Sequence, residues 1–464
     1  MRRTARRLTV HRDRSTTLAI GFAMCSMVGC SDPPVVPAPT LATPSLVAAA
    51  SPTPTTCPAG LPVVATCYVG VSEVGAAYLI AIPEHWEGTL VLFNRGATSP
   101  AAGLSVPAAL GPAHLLMRDG IAFAASGYRG SVLAGVTAGD TEELRRIFVQ
   151  AFGKPLRTVV YGASFGGLVT ARCLELYGTN EDGSLNYDGA LTGCGILAGT
   201  LRTNYTRLDL RVVYQYFCQN HPRPTEPQYP LYLGLAPGTN MTIDELRARV
   251  NECTGVLKPV IERSDDQRER LSNILTVLRI PENELIAHMS GATFNFRELV
   301  QRQLGGRNPF SNVHVHYHGS TNDVALNAHA ERYESDPTAA AELSAADDPT
   351  GLVASPVVSL HQIPDGRAFV EQEHAYRTTF EEAGTAQLLF QAYTNEGTHC
   401  TFSPPEWLAG LTTLLHWIDT GIRPTQHDIM SACERYRTEV GGSCTINPTY
   451  EPAPLVTRVY PRHP

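Results

Sequence analysis

Residues 159–167 read Val-Val-Tyr-Gly-Ala-Ser-Phe-Gly-Gly, and no other stretch of the chain is as informative about its fold. Residues 157–161 predict a β-strand, and the G-x-S-x-G pattern of Gly162, Ser164 and Gly166 predicts a sharp turn into a helix. Glycine is needed on both sides of the serine, because a Cβ there would collide with neighbouring backbone. The turn lifts the serine hydroxyl clear of the sheet, so Ser164 is a candidate nucleophile.

Strands and helices alternate on both sides of this turn. Short β-rich runs within residues 63–82 predict a hairpin at the start of a sheet. Further strands are predicted at residues 89–93, 121–125, 189–197, 356–361 and 387–393, and helices at 108–117, 141–152, 167–177, 370–383 and 405–420. Alternation of this kind predicts an α/β fold with a mostly parallel sheet covered by helices on both faces.

The alternation breaks within residues 200–345, which are richer in Arg, Glu, Asn and Tyr and contain several helical stretches. We interpret this segment as a mainly helical cap inserted into one α/β domain. The domain itself is predicted at residues 57–199 and 346–423, and residues 424–464 form a C-terminal extension. Such a cap would lie over the carboxyl ends of the strands, where open α/β sheets bind their ligands.

The first 56 residues predict an export signal and a tether. Residues 1–30 combine six arginines before position 15 with an apolar run at residues 18–28 that is too short to span a membrane. Met-Val-Gly-Cys at residues 27–30 resembles a lipoprotein cleavage box, in which Cys30 becomes the lipidated first residue; ordinary secretion is the alternative. Residues 31–56 are rich in Pro, Ala, Thr and Ser, which predicts a flexible linker.

Composition and charge are those of an ordinary soluble protein. The 464 residues are 43% hydrophobic and 17% charged, with a formal net charge of −8. This mild acidity, and the lack of a basic face beyond the first 14 residues, argue against a nucleic-acid partner. No motif indicates an organic cofactor, and nothing in the sequence specifies an oligomeric state.

Cysteine usage indicates an oxidising compartment. Nine of the eleven cysteines lie beyond the predicted signal, so at least one thiol is free or intermolecular. No C-x-x-C motif is present, which argues against the commonest zinc and redox sites. Connectivity does not follow from sequence, but spacing suggests three pairs: Cys57 with Cys67, Cys218 with Cys253, and Cys433 with Cys444.

A serine hydroxyl needs a base within hydrogen-bond reach, usually a histidine oriented by a carboxylate. Asp365 lies in Gln-Ile-Pro-Asp-Gly, directly after the strand predicted at residues 356–361. His399 lies in Asn-Glu-Gly-Thr-His-Cys, beyond the strand predicted at residues 387–393. Both residues follow Ser164 in the order Ser, Asp, His, and each is placed in a loop after its own strand.

Two other carboxylates are alternatives to Asp365. Asp323 follows His-Gly-Ser-Thr-Asn, which also looks like a loop after a strand. It would leave more than seventy residues before His399 and would skip one strand, so Asp365 is favoured. Glu371 is a more remote choice, since it falls in the helix predicted after Asp365.

The three loops resemble the signature loops of the α/β-hydrolase superfamily, in particular of its secreted bacterial branch. The resemblance covers roughly residues 65–200 and 350–420. It implies the α/β-hydrolase fold, with Ser164 as nucleophile, Asp365 as the triad acid and His399 as base.

The resemblance also implies an oxyanion hole formed by backbone N–H groups. One donor is Phe165, directly after the serine, and the second comes from the loop after residues 89–93. That loop reads Asn-Arg-Gly-Ala, whereas many relatives begin with His-Gly, so Gly96 and Ala97 are alternative second donors.

Cys400, next to His399, is similar to a cysteine of tannases and feruloyl esterases. In those enzymes it is bridged to a cysteine beside the nucleophilic serine. Ala163 precedes Ser164 here, so that bridge cannot form, and Cys194 is an alternative partner.

Several other polar residues have two interpretations. His314, His316 and His318 would share one face of a predicted strand, either as metal ligands or as the exposed side of a half-buried strand, and we favour no metal. His361 lies on an apolar strand and is interpreted as a core residue with satisfied polar atoms. Four residues at the predicted start of the cap could contact the substrate or form structural salt bridges, and the sequence does not decide between these roles: Arg202, Tyr205, Asp209 and Arg211.

Taken together, the residues predict an exported serine hydrolase that cleaves small or polymeric carboxylic esters through an acyl-enzyme. It would be a cell-envelope lipoprotein, attached to the membrane only through Cys30, or a secreted enzyme. It would use no cofactor and no metal. A serine peptidase or aminopeptidase acting on short peptides is the enzymatic alternative, and a hydrolase-like binding protein without catalysis is the other.

Overall fold

The computed structural model describes residues 51–97, 110–130 and 132–462. The predicted export signal, the predicted lipid attachment at Cys30 and most of the predicted linker lie outside these residues. The last part of that linker differs from the expectation. Thr53–Thr55 forms a short edge strand, since its backbone pairs with the strand that contains Cys67 and the Cys57–Cys67 disulfide holds the two segments together.

The described residues form one ten-stranded sheet. Its strands are β1 (Thr53–Thr55), β2 (Ala65–Val71), β3 (Ala77–Pro83), β4 (Thr89–Asn94), β5 (Ile121–Ser126), β6 (Arg157–Ala163), β7 (Gly189–Gly193), β8 (Val357–Gln362), β9 (Leu389–Thr394) and β10 (Ile446–Asn447). The spatial order is β1-β2-β3-β5-β4-β6-β7-β8-β9-β10. The block from β5 to β9 is parallel, whereas β1, β2, β3 and β10 pair antiparallel with their neighbours.

Eleven α-helices accompany the sheet in the described part of the chain. They are α1 (Ala134–Phe152), α2 (Phe165–Tyr177), α3 (Thr200–Cys218), α4 (Ile243–Thr254), α5 (Asp265–Leu278), α6 (Leu285–Ser290), α7 (Asp323–His329), α8 (Pro337–Asp347), α9 (Gln372–Ala383), α10 (Pro404–Thr420) and α11 (Gln426–Val440). Shorter helical segments include a 3-10 helix at Pro112–Asp119 and π-helical turns at Gly291–Asn295 and Arg297–Gln303.

Both faces of the sheet are covered, which explains why its strands are continuous apolar runs. Val91 belongs to the core formed with α10 and α11, whereas its neighbours Leu90 and Leu92 belong to the core formed with α1 and α2. Successive side chains of a strand point to opposite faces, so a strand covered on both sides is apolar throughout. The predicted parallel sheet is confirmed.

The segment between β7 and β8 is mainly helical and has its own core. It contains α3 to α8, and its buried residues include Leu208, Leu246 and Phe296. The Cys218–Cys253 disulfide joins the end of α3 to α4 within this segment. We refer to residues 200–345 as the cap segment.

The disulfides agree with the expected pairs. Besides Cys57–Cys67 and Cys218–Cys253, the structure contains Cys433–Cys444 and Cys194–Cys400. The odd cysteine is Cys173, a buried free thiol. Four disulfides are typical of proteins from oxidising compartments. No helix in the described residues is both long enough and apolar enough to cross a bilayer.

Three element boundaries differ from the sequence prediction by more than two residues. The helix predicted at residues 141–152 begins at Ala134, because the apolar face continues towards the preceding loop with Ala134 and Ala138 buried. The strand predicted at residues 189–197 ends at Gly193, because Cys194 has a φ of 45° and turns the chain out of the sheet. The helix predicted at residues 108–117 is a 3-10 helix at Pro112–Asp119, and its first predicted residues lie outside the described part of the chain.

Candidate active site

Ser164 stands at the turn between β6 and α2, with φ 60° and ψ −124°. This backbone conformation is strained for a residue with a side chain and persists only where its surroundings enforce it. The flanking glycines allow it. A Cβ on Gly162 would overlap the carbonyl of Gly166, and a Cβ on Gly166 would overlap the carbonyl of Asn94. The strand-turn-helix predicted from the G-x-S-x-G pattern is therefore present.

A continuous chain of hydrogen bonds links Ser164, His399 and Asp365. The Oγ of Ser164 lies 2.7 Å from Nε2 of His399, and Nδ1 of His399 lies 2.8 Å from Oδ2 of Asp365. A carboxylate can only accept here, so Nδ1 of His399 carries the hydrogen and Nε2 is free to accept the serine proton. The three residues come from the loops after β6, β8 and β9. The structure thus brings together all three predicted residues, and their catalytic role stays a prediction.

Asp365 is held from three directions. Its Oδ1 accepts hydrogen bonds from the backbone N–H groups of Arg367 (2.8 Å) and Ala368 (3.0 Å), while Oδ2 accepts from His399. Burial acts to raise the pKa of Asp365, but the hydrogen bond from His399 and the electrostatic effect of the neighbouring imidazoles of His361 and His399 outweigh it, so the pKa is lowered. The carboxylate is therefore ionised at neutral pH and can orient the imidazole.

The loop of His399 is attached to the sheet by a disulfide. Cys400 is bonded to Cys194, the residue directly after β7. The Sγ of Cys400 lies 3.6 Å from Nε2 of His399, so the bridge packs against the imidazole. Thr401 closes the same loop, accepting a hydrogen bond from the N–H of Thr398 at 2.7 Å. The alternative partner considered for Cys400 is confirmed.

The predicted oxyanion donors are backbone N–H groups close to Ser164. Phe165 is the first residue of α2, so its N–H has no acceptor within the helix. A Cβ built on Gly96 would lie 3.5 Å from both the Cβ of Ser164 and the carbonyl oxygen of Ala163, which places this backbone beside the serine. Gly96 and Ala97 both stay predicted second donors.

The loop that carries Gly96 is fixed at its start by buried Asn94. The Nδ2 of Asn94 donates to Thr170 of α2 at 3.0 Å, and its Oδ1 accepts from Thr141 of α1 at 2.6 Å. The hydroxyl of Tyr128 donates to the carbonyl of Arg95 at 3.2 Å. These contacts hold the loop against the turn of Ser164. They were not visible in the sequence because their partners come from distant helices.

Neither rival acid contacts His399. Asp323 is the first residue of α7 and accepts hydrogen bonds from the N–H groups of Gly319 and Ser320 at 3.0 and 2.7 Å. No strand precedes it, so the interpretation of its loop was wrong. Glu371 directly precedes α9 and lies 3.7 Å from Arg458.

The run that contains His314, His316 and His318 is not a strand. Burial does alternate as expected, since the three imidazoles are exposed while Val315 and Tyr317 are buried. The backbone, however, is satisfied by side chains: Arg332 donates to the carbonyl of Val315, and Asn327 bonds both the N–H and the carbonyl of Tyr317. Within residues 51–97, 110–130 and 132–462, no cluster of three metal-binding side chains is found.

The residues predicted at the start of the cap are largely structural. Buried Asp209 accepts two hydrogen bonds of 2.9 Å from Arg462 and one of 2.9 Å from the hydroxyl of Tyr317. This salt bridge ties the C-terminal extension to α3. Arg202 donates to the carbonyl of Ala198 at 2.7 Å, and the guanidinium of Arg462 lies over the ring of Tyr205. Arg211 is fully buried and donates to the hydroxyl of Tyr229 at 3.3 Å.

The sequence analysis did not predict that His361 contacts the triad acid. His361 is a buried residue with both ring nitrogens satisfied, as expected, but it also lies beside Asp365, with 3.6 Å between His361 Nε2 and Asp365 Oδ2. Its second partner, Glu373, lies on α9. The spacing of four residues between His361 and Asp365 was the available signal; nothing in the sequence pointed to Glu373.

No protein-family model and no curated protein matches the sequence. Among solved structures, an esterase from Pyrococcus furiosus is similar over 78% of this chain and 93% of its own, with 11% identity and a TM-score of 0.40. An esterase from Aspergillus oryzae is similar over 78% and 80%, with 11% identity and a TM-score of 0.40. An acylaminoacyl peptidase from Pyrococcus horikoshii shows 11% identity and a TM-score of 0.39 over 81% of this chain; only 42% of that peptidase is covered, so the chain spans less than half its length.

We assign the fold from the topology of the sheet. An antiparallel β3 precedes a parallel block in which β5 and β4 exchange places, so the order in space is β3-β5-β4-β6-β7-β8-β9. The serine follows β6 at a strained turn, the carboxylate follows β8 and the histidine follows β9. This strand order and this succession of Ser, Asp and His are those of one fold. The chain has the α/β-hydrolase fold.

Proposed function

We propose that the protein is a serine hydrolase that cleaves carboxylic esters. The observation that carries the proposal is the hydrogen-bond chain from Ser164 through His399 to the buried Asp365. A serine hydroxyl alone is a poor nucleophile, and a base in contact with it is what makes acyl transfer possible at neutral pH. Among acyl substrates, a carboxylic ester needs the least catalytic assistance beyond these three residues, because an alkoxide leaves more readily than an amine.

The proposed reaction begins with attack of Ser164 Oγ on the ester carbonyl carbon. His399 takes the serine proton on Nε2, and Asp365 stabilises the imidazolium that forms. The carbonyl oxygen becomes an oxyanion, which accepts hydrogen bonds from the N–H group of Phe165 and from that of Gly96 or Ala97. The intermediate then collapses, and His399 returns the proton to the departing alkoxide. Water then attacks the acyl-enzyme: His399 takes a proton from the water and returns it to Ser164 Oγ as the acid product leaves.

The cap segment is proposed to select the substrate. It follows directly after β7 and returns to the sheet at β8, the strand that leads to Asp365. The segment therefore leaves the sheet at the carboxyl end of β7, the edge where Ser164 stands, and returns to the amino end of β8, because the two strands are parallel. The acid loop already contacts this segment, since Arg367 donates to Glu284 at 2.7 Å and His288 bonds the carbonyl of Gly366 at 2.9 Å.

Export is a separate part of the proposal. The four disulfides support an oxidising destination, since such bonds persist there and are rare in the cytosol. We propose residues 1–30 as the signal and Cys30 as the site of lipid attachment. Cell fractionation tests the anchor: Cys30→Ser is expected to move the protein from the membrane pellet to the soluble fraction, whereas identical distribution of both forms would refute the attachment.

Reaction with a fluorophosphonate probe tests the chemistry. Folded wild-type protein is expected to be labelled at Ser164, and Ser164→Ala to be neither labelled nor active on p-nitrophenyl esters. Ser431→Ala is the matched control, because Ser431 also lies near a histidine (3.5 Å to His427) but stands exposed on α11. Absence of labelling in the wild type, beside a reactive reference hydrolase, would indicate a binding protein instead.

A substrate panel tests the ester assignment. Esters of increasing acyl length are assayed beside aminoacyl-arylamides, with Ser164→Ala as the blank for both. Faster turnover of the esters at equal concentration is the expected result. Preferential cleavage of the arylamides would favour the aminopeptidase alternative and would contradict ester hydrolysis as the main activity.

A further inference from the structure

A second histidine is buried behind the acid of the proposed site. His361 lies on β8 four residues before Asp365, and its side chain is fully shielded from solvent. Its Nδ1 lies 3.0 Å from Oε1 of Glu373 on α9. Its Nε2 lies 2.7 Å from the carbonyl oxygen of Ala368 and 3.6 Å from Oδ2 of Asp365. Every partner of this imidazole is an oxygen acceptor or a carboxylate.

These contacts determine where the protons are. The carbonyl of Ala368 can only accept, so Nε2 of His361 carries a hydrogen. Glu373 also receives a hydrogen bond of 2.7 Å from Nε2 of Gln391 and one of 2.8 Å from the hydroxyl of Ser359. Donors on both oxygens favour the ionised carboxylate, which requires Nδ1 of His361 to donate as well. The imidazole is then protonated on both nitrogens.

The balance of burial and charge agrees with this geometry. Burial disfavours a charged imidazole, but the hydrogen bond and charge of Glu373, the charge of Asp365 and the carbonyl of Ala368 outweigh it and raise the pKa of His361. A buried ion is retained when it is paired and its hydrogen bonds are complete, and both conditions hold here.

We propose that His361 is a positioning residue of the site: a buried cation between Glu373 and Asp365 that fixes the Asp365 carboxylate and adjusts how readily His399 takes up a proton. This inference rests on the proposed function. Asp365 stands between two imidazoles, one on each side. A permanent positive charge behind it weakens its attraction for a second positive charge on His399, so the base stays free at a lower pH than it otherwise would.

The other groups near this cluster are neutral or engaged elsewhere. Arg207, close to His288, donates to the side-chain oxygen of Asn204 at 2.8 Å. Arg367 is bound to Glu284, and Arg458 lies beside Glu371. Burial lowers the pKa of His288 to about 4, so this imidazole is uncharged at neutral pH. Two buried tyrosines close to Glu373, Tyr376 of α9 and Tyr393 of β9, have a pKa raised by burial and stay protonated. His361 is thus the cation that faces Asp365 from behind.

The test compares pH profiles of kcat/KM for a p-nitrophenyl ester. Glu373→Gln removes the counter-charge and leaves His361 neutral. His361→Gln combined with Glu373→Gln removes both charges at nearly constant volume and leaves no unpaired carboxylate. Both variants are expected to move the acidic limb of the profile upward by about half a unit to one unit. His374→Gln, the next residue on α9, is the matched control and is expected to leave the limb in place.

A measurement that does not depend on turnover accompanies the profiles. Nitrogen-15 NMR of histidine-labelled wild type, with the His361→Gln variant used for assignment, is expected to show both ring nitrogens of His361 protonated at pH 7.

A neutral His361 in that spectrum, or a folded variant with an unmoved acidic limb, would overturn the inference while leaving ester hydrolysis intact. Absence of both turnover and probe labelling in the wild type would instead overturn the proposed function, and the inference with it.

Discussion

Cys400 is bonded to Cys194, so the residue after His399 is joined to the residue after β7. Both cysteines have positive φ, 45° at Cys194 and 59° at Cys400; Cys194 directly follows β7, and Cys400 lies in the loop after β9. The bridge therefore holds the loop of the proposed base against the strand next to the one that carries Ser164.

Removing this bridge is expected to lower kcat more than it raises KM. In the Cys194→Ala/Cys400→Ala variant the His399 loop loses its attachment, and a displacement of the base by about 1 Å can cost on the order of a hundredfold in rate. Ester kinetics of the double variant measure the effect. The Cys433→Ala/Cys444→Ala variant is the control, since that bridge joins α11 to the segment after it. Equal losses in both double variants would contradict a specific role.

A pair of matched substitutions distinguishes Asp365 from Asp323 as the triad acid. Asp365→Asn is expected to reduce kcat/KM by roughly 10³–10⁴-fold, because the amide no longer selects the imidazole tautomer that accepts the serine proton. Asp323→Asn is expected to change it less than about twofold, as Asp323 only closes a local turn at the start of α7. The reverse ranking would show that the assignment of the acid is wrong.

Because of the buried carboxyl of Asp347, we expect the free energy of unfolding to fall as the pH rises. This carboxyl is buried beside Thr200, whose hydroxyl bonds it at 2.7 Å, and burial raises its pKa to about 7. The folded state therefore binds a proton that the unfolded chain, with an ordinary carboxyl pKa near 4, has lost. Between about pH 4 and 7 this group makes folding progressively less favourable as pH rises.

Asp347→Asn is expected to remove that decline. The variant should gain on the order of 2–4 kcal/mol in the free energy of unfolding at pH 8, relative to the wild type, and little at pH 4. Urea unfolding at both pH values measures the difference. Asp266→Asn, an exposed position on α5, is the control. An equal effect of Asp347→Asn at pH 4 and pH 8 would show that its carboxyl does not titrate as stated.

Arg462 is expected to be essential for attaching the C-terminal extension. Arg462→Ala leaves the buried Asp209 without its cation, and an unpaired buried charge costs about 3–5 kcal/mol. The free energy of unfolding measures the loss. Arg435→Ala breaks an exposed pair with Glu439 and should cost less than about 1 kcal/mol. Similar values for the two variants would mean that the Asp209–Arg462 pair is not shielded from solvent.

Local sequence predicted most of the sheet because burial on both faces leaves an unmistakable pattern. Residues 90–93 and 121–125 are apolar throughout, and both belong to strands that pack helices on each side. The same reasoning failed at residues 314–318, where alternating burial looks like a strand. Alternation reports which side chains are buried, but it cannot report whether another strand is available to pair.

The proposed active site also has features that the sequence predicts and features that only the tertiary structure decides. Glycines at 162 and 166, the serine between them and the order Ser, Asp, His follow from local geometry and chain order, so they were readable without a structure. The 2.7 Å contact between Ser164 and His399, the choice of Cys194 for Cys400 and the place of His361 and Glu373 behind Asp365 depend on packing between segments far apart in the chain. Hydrogen bonds form only within a few tenths of an ångström, and that precision comes from tertiary packing, whereas a strand-turn-helix with a nucleophile at its corner is already written in nine consecutive residues.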